Sequence, residues 1–129
     1  MIGSYDGTVV FLENTGTWEA PAFVPNDALF KIVTDVGYTH PKPTLADVDG
    51  DGDLDLVLGH LDDTLAYFLN TGNATAPRFV VADATNPFAS LDSGRDSSAP
   101  TLADLDGDGT LAPRPYRLAA IATARTHRR

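Results

Sequence analysis

The sequence predicts an all-β fold built from repeated four-stranded antiparallel units. Two observations predict it: the chain repeats itself about every 56–57 residues, and each repeat consists of short apolar or alternating runs separated by Gly, Asn, Asp and Pro. Runs bounded in this way are strand signals, and self-similarity at such a spacing marks a repeat architecture. A third observation singles out one turn. The string DVDGDGDLD, Asp47 to Asp55, leads directly into the apolar run LVLG and is echoed 57 positions later as DLDGDG from Asp104.

The repeat is explicit in the letters. At an offset of 56, residues 2–24 and 58–80 share ten identities in 23 positions; at an offset of 57, residues 35–52 and 92–109 share eleven in 18. A one-residue insertion between Asp27 and Asp35 accounts for the change. From Pro43 the pattern predicts a strand near 43–47, the acidic loop at 47–55, a strand near 55–60 and a turn at Asp62–Asp63. A strand near 64–70, a loop at Thr71–Pro77 and a strand near 78–82 complete the unit. In the preceding unit Asp6–Gly7 and Asn14–Gly16 mark the corresponding turns, Asx–Gly pairs supporting the positive φ that tight turns need.

Four strands per repeat describes a propeller blade. The chain then divides into a partial blade (strands two to four) with its connection over 1–42, a complete blade over 43–98 and the start of a third over 99–110. Residues 111–129 form a basic stretch outside the repeat, read either as a basic arm with a short helix over 116–126 or as a segment not native to the fold. Propellers have four to eight blades, so the pattern points to a partial β-propeller and to further blades of a longer parent chain.

Charge is divided sharply. All 18 acidic residues lie at or before Asp108, whereas Arg114, Arg117, Arg125, Arg128 and Arg129 lie after it. Residues 1–110 thus hold four basic against 18 acidic side chains, net −14, and residues 111–129 carry +5. So acidic a body repels nucleic acid and anionic membrane, since affinity for either rests on basic patches. No apolar stretch reaches the roughly 18 residues of a membrane span, so no membrane insertion is expected. The absence of cysteine excludes a disulfide scaffold and a thiolate metal site. The stretch MIGSYDGTVVFLEN lacks a basic region ahead of an apolar core and does not read as a secretion signal.

The acidic loop carries the chemistry. Calcium takes six to eight oxygen ligands at about 2.3–2.6 Å, and a short loop supplies them only if alternate side chains converge. Asp47, Asp49 and Asp51 have that spacing, Gly50 and Gly52 let the backbone turn sharply, Asp53 is the expected carbonyl donor and Asp55 the closing carboxylate. An EF-hand is excluded, because loop position twelve is Leu58, inside a β-prone run, where a bidentate acid is required. Magnesium fits less well, since it keeps its waters and rarely uses an all-protein cage. A loop that supplies nearly every ligand leaves little room for a metal-activated water, so a structural cation is expected rather than a catalytic one.

The order PTLADVDGDGDLDLVLGHLDDTLAYFLNTGNATAPRFV strongly resembles an FG-GAP or VCBS-type repeat, the calcium-loop blade of integrin α-subunit propellers and of many secreted microbial proteins. The resemblance covers residues 2 to about 110. It implies that Asp47, Asp49, Asp51 and Asp55 are calcium side-chain ligands, with Asp53 at the backbone-carbonyl position. It places Asp104, Asp106 and Asp108 at the first three ligand positions of the next loop, with Thr110 at the carbonyl position. Ala112 stands where the closing Asp belongs, so that second site is expected to be weak or empty.

No GxSxG, Walker-type or HExxH string occurs, and no enzyme activity is expected. His40, His60 and His127 lack metal-ligand spacing and read as surface or turn residues. Among the aromatic side chains, Tyr67 aligns with Phe11 as blade core, Tyr38 is a possible sugar-stacking ring, and Trp18 is the better candidate for an exposed contact. The expected role is a calcium-bound recognition or adhesion module, extracellular or at the cell surface by the resemblance, with a protein or glycan ligand. A lectin-like module and a non-catalytic module of a secreted hydrolase or lyase are the alternatives.

Overall fold

A computed structural model describes residues 1–26, 28–61, 64–91 and 98–103. The Asp62–Asp63 turn, the second acidic loop from Asp104, His127 and the basic stretch 111–129 lie outside the described residues.

The fold is all-β, with antiparallel sheets of two, two and four strands. The four-stranded sheet runs in the order β5 (Lys42–Ala46), β6 (Asp55–Gly59), β7 (Leu65–Asn70), β8 (Phe79–Val81). These bounds lie within a residue or two of the predicted strands. Alternation alone does not account for β6, whose DLVLG is buried at every position. The sheet is packed on both faces, and a strand in its middle is apolar throughout.

On one face Leu56, Leu58, Ala66, Phe68 and Phe79 meet Val9, Phe30 and Val33 of the preceding residues. On the other, Val57, Leu65 and Tyr67 pack with Ala46, Val48 and Phe88, flanked by Leu91 and Leu102. Phe68, Leu56 and Leu58 are fully buried, and each such side chain contributes about 1.5–3 kcal/mol relative to exposure.

The first unit contains β1 (Ile2–Gly3), β2 (Val9–Val10), β3 (Leu12–Asn14) and β4 (Phe23–Pro25). Its pairs Ile2↔Val10 and Gly3↔Val9 correspond to Leu58↔Ala66 and Gly59↔Leu65 in the second unit. Likewise Leu12↔Pro25, Glu13↔Val24 and Asn14↔Phe23 correspond to Phe68↔Val81, Leu69↔Val80 and Asn70↔Phe79. Every ladder pair of the first unit therefore reappears 56 residues later. The middle strand breaks at Phe11 because its counterpart, Tyr67, is held by Val57 on β6, whereas the position equivalent to Val57 is Met1, which precedes β1. The Phe11 carbonyl still accepts the Asn26 N–H at 2.8 Å.

Between the units lies one feature that sequence reasoning missed, a short helix α1 (Lys31–Val36) ended by Gly37 in the left-handed region. It falls where the one-residue insertion was inferred. Four β-branched residues in six, Ile32, Val33, Thr34 and Val36, argue against a helix, but Val33 is fully buried and Phe30, just ahead of the helix, stacks on Phe79 at 5.1 Å. Packing overrides propensity here.

Gly3 and Gly59 show how one unit meets the next. A Cβ on Gly3 would strike the Pro41 carbonyl and crowd the Pro43 ring, and one on Gly59 would strike the Ser98 carbonyl and the Pro100 ring. The same close approach thus occurs twice along the chain.

Candidate metal centre

The acidic loop closes the β5–β6 hairpin above the pair Ala46↔Asp55. Gly50 and Gly52 have φ of 83° and 94°, and a Cβ at either would meet nothing within 4 Å. They are therefore needed for backbone conformation and not for space. The carboxylates curl the loop by accepting its own amides. Asp47 Oδ1 accepts from Gly50 N–H at 2.8 Å and Oδ2 from Gly52 N–H at 3.1 Å. Asp49 Oδ1 accepts from Asp51 N–H at 3.2 Å, and Asp51 Oδ1 from Asp53 N–H at 2.9 Å.

This curl brings one oxygen from each of Asp47, Asp49 and Asp51 within 4.8 Å of one another. Oxygens around a calcium ion, each about 2.3–2.6 Å from it, lie up to about 5 Å apart, so the trio fits a cation of that size. Left uncompensated, three carboxylates at this separation repel by about 0.9 kcal/mol per pair even in a water-like dielectric. Burial pushes the Asp49 carboxyl up from its ordinary value, and the negative charges of Asp55, Asp51 and Asp47 push it in the same direction.

Asp55 stands apart from the trio. It is 1 % exposed, with Oδ2 accepting from Val48 N–H at 3.1 Å and from the Tyr67 hydroxyl at 2.9 Å, and Oδ1 accepting from Asn70 N–H at 2.8 Å. A carboxylate offers about four acceptor sites, so three protein donors leave one, on Oδ1. The residue expected to close the cage also ties the loop to the sheet. Asp53, expected to offer its carbonyl, is half-buried and fixed by its N–H on Asp51.

Two contributors were not singled out as site residues. The Tyr67 hydroxyl is one; the signal was available, since the aligned residue of the first unit is Phe11. Asn70 is the other, its Nδ2 donating to the Leu54 carbonyl at 3.3 Å while its Oδ1 accepts from Gly72 and Arg78 N–H at 3.0 and 2.9 Å. It joins the acidic loop to the 71–77 corner. Asn14 closes the first unit's corner in the same way, accepting from Gly16 and Ala22 N–H at 3.1 and 2.9 Å. Gly16 lacks the positive φ expected of it; a Cβ there would strike the Ala20 carbonyl, so the corner needs space and not a left-handed backbone.

The other candidates sort by burial. Trp18 is 89 % exposed at the tip of the Thr17–Ala20 turn. Tyr38 packs between His60 and Phe68 and is half-buried. His60 follows β6 at a turn as expected, yet it is buried, tilted against Tyr38 and within 3.1 Å of the Thr64 hydroxyl. Its backbone continues the buried strand, which carries the ring inward.

A family model described as an FG-GAP-like repeat matches residues 47–111, half of the 129-residue chain. The chain belongs to the FG-GAP-like repeat family. The FG-GAP-like match opens on Asp47, the first carboxylate of the loop, and continues through β6, β7 and β8. It also takes in Asp104, Asp106 and Asp108. Comparison with curated proteins and with solved structures gave no match. Among the described residues, no helix is long and apolar enough to cross a membrane.

Proposed function

We propose that this FG-GAP-like chain binds calcium through Asp47, Asp49, Asp51 and Asp55 with the Asp53 carbonyl, and that the cation serves structure and not catalysis. The observation that carries the reading is the convergence of the Asp47, Asp49 and Asp51 oxygens within 4.8 Å on a loop turned by two left-handed glycines. When bound, calcium supplies positive charge that offsets the repulsion in the loop. The protein's part is to hold the carboxylates ready: Asp47 and Asp51 are fixed by loop amides, and Asp55 by Val48, Asn70 and Tyr67. The cation then clips β5 to β6 and stiffens a surface for recognition of a protein or glycan outside the cell. The second loop, lacking a closing acid at Ala112, contributes weakly or not at all.

An exposed indole favours a carbohydrate as one form of that ligand, because Trp18 stands free at a turn tip, where a sugar ring could stack on it. Loss of glycan-array binding in Trp18→Ala would support this form.

Calorimetric titration with calcium tests the central reading. Binding is expected at up to millimolar concentration, with a higher melting temperature in calcium than in chelator. Asp49→Ala should abolish most of that difference without lowering the melting temperature in chelator, since the substitution removes a repelling charge. Superimposable melting curves in calcium and chelator, with no heat of binding, would sink the proposal.

A further inference from the structure

The corner between β7 and β8 carries a chemical feature that its fold does not require. Residues 71–76 are exposed, and Asn73 turns the chain at the tip. Its Oδ1 accepts from Thr75 N–H at 3.0 Å, from the Thr75 hydroxyl at 2.9 Å and from Ala76 N–H at 2.8 Å. The equivalent corner of the first unit closes with a threonine in the same place. Thr17, 56 positions earlier, accepts from Ala20 N–H through its hydroxyl at 3.1 Å. Its own N–H donates to the Ala20 carbonyl at 3.2 Å, as the Asn73 N–H donates to the Ala76 carbonyl at 3.3 Å. Two different side chains therefore make this turn, and the turn alone does not select asparagine.

All three side-chain bonds of Asn73 fall on one atom. The carboxamide also offers two N–H donors on Nδ2, and among the described residues Nδ2 makes no hydrogen bond. Residues 73–75 read Asn-Ala-Thr. Of the chain's five asparagines, Asn73 alone is followed two places on by Ser or Thr with a residue other than proline between. That tripeptide is the acceptor for N-linked sugar when it lies on a surface loop, and here it does.

We infer that Asn73 is a glycosylation site, an inference that rests on the reading that the protein works outside the cell. The donor is an oligosaccharide carried on a lipid diphosphate. Asn73 Nδ2 bonds to the anomeric carbon of that sugar, the bond from this carbon to the diphosphate oxygen breaks, and the lipid diphosphate leaves with the electron pair. Nδ2 gives up one proton to the transferring enzyme. The linked amide keeps Oδ1, so the hydrogen bonds that close the corner survive the modification. The glycan then adds bulk and solubility at an exposed tip.

Production of the full chain in cultured animal cells behind a cleavable secretion leader tests this, with chain from lysate and medium both weighed by mass spectrometry. The leader supplies entry to the secretory lumen, so the result reports the acceptor and not the protein's natural location. The mass should exceed the 13.7 kDa of the bare chain and fall back to it on treatment with peptide N-glycosidase, leaving Asn73 deamidated. Thr75→Ala should abolish the added mass, and Thr75→Ser should retain it in part. A chain that stays at its bare mass in both fractions, or added sugar that survives Thr75→Ala, would overturn the inference. Sugar on Asn73 in a protein confined to the inside of its source cells would support the acceptor and overturn the extracellular reading alone.

Discussion

Residues 2–25 and 58–81 pair their strands in the same register and close their corners with the same asparagine, yet only the second stretch is sealed on both faces and tied to an acidic loop. The difference separates two kinds of information. Register and corner geometry are local: Asn14 and Asn70 each accept two amides from their own corner, and each corner glycine sits against a neighbouring carbonyl. Burial is not local. Phe23 and Phe79 occupy equivalent positions, and only the residues packed opposite them decide which is covered.

The comparison is broken most forcefully at Asp55, the carboxylate that ties the acidic loop to the second stretch. Asp55→Ala leaves the Val48 and Asn70 amides and the Tyr67 hydroxyl without their acceptor in a buried setting, where each unsatisfied donor costs about 1–3 kcal/mol. A loss of about 3 kcal/mol or more is expected in urea unfolding, with or without calcium. A loss below about 1 kcal/mol would show that Asp55 is no anchor.

A smaller effect sharpens the same contrast. Asn70→Ala and Asn14→Ala remove equivalent corners, but Asn70 is 4 % exposed and also donates to Leu54, while Asn14 is exposed. Asn70→Ala should cost about 2–3 kcal/mol and Asn14→Ala about 1 kcal/mol, since solvent satisfies the freed amides of an exposed corner. Equal losses would mean that the link from loop to corner contributes nothing.

The acidic loop also makes a pH prediction. With its pKa raised, Asp49 binds a proton more tightly in the folded, metal-free protein than in the unfolded chain. Its contribution to stability in chelator therefore improves as pH falls through the carboxyl range and worsens as pH rises through it. On the proposed reading calcium would compete with that proton, so affinity should decline several-fold on acidification, beginning above the ordinary aspartate range. Calorimetry at neutral and mildly acidic pH reads this directly, and Asp49→Asn should flatten the trend.

Much of this was legible in the letters. The strands from Lys42 to Val81 follow from apolar runs and Asx–Gly punctuation, and the Asp/Gly alternation marks the loop whose three carboxylates converge. What was not legible depends on partners distant in sequence. Helix α1 exists because Phe30 and Val33 are buried against the second unit. The Tyr67 hydroxyl matters because β7 carries it to Asp55, twelve residues away in sequence. His60 looks like a turn residue and is buried because Tyr38 lies against it. No periodicity encodes such meetings.

Amide hydrogen exchange, followed residue by residue in calcium and in chelator, tests the central claim most directly: calcium clips the second unit through its loop and leaves the first unit's corner alone. With calcium at a hundred times its dissociation constant, about 2.7 kcal/mol of linkage is available. The amides of residues 47–55 and of Asn70 should then exchange roughly 100-fold more slowly, while those of residues 14–22 should be unchanged. Equal exchange with and without calcium, or equal protection of both regions, would contradict the account.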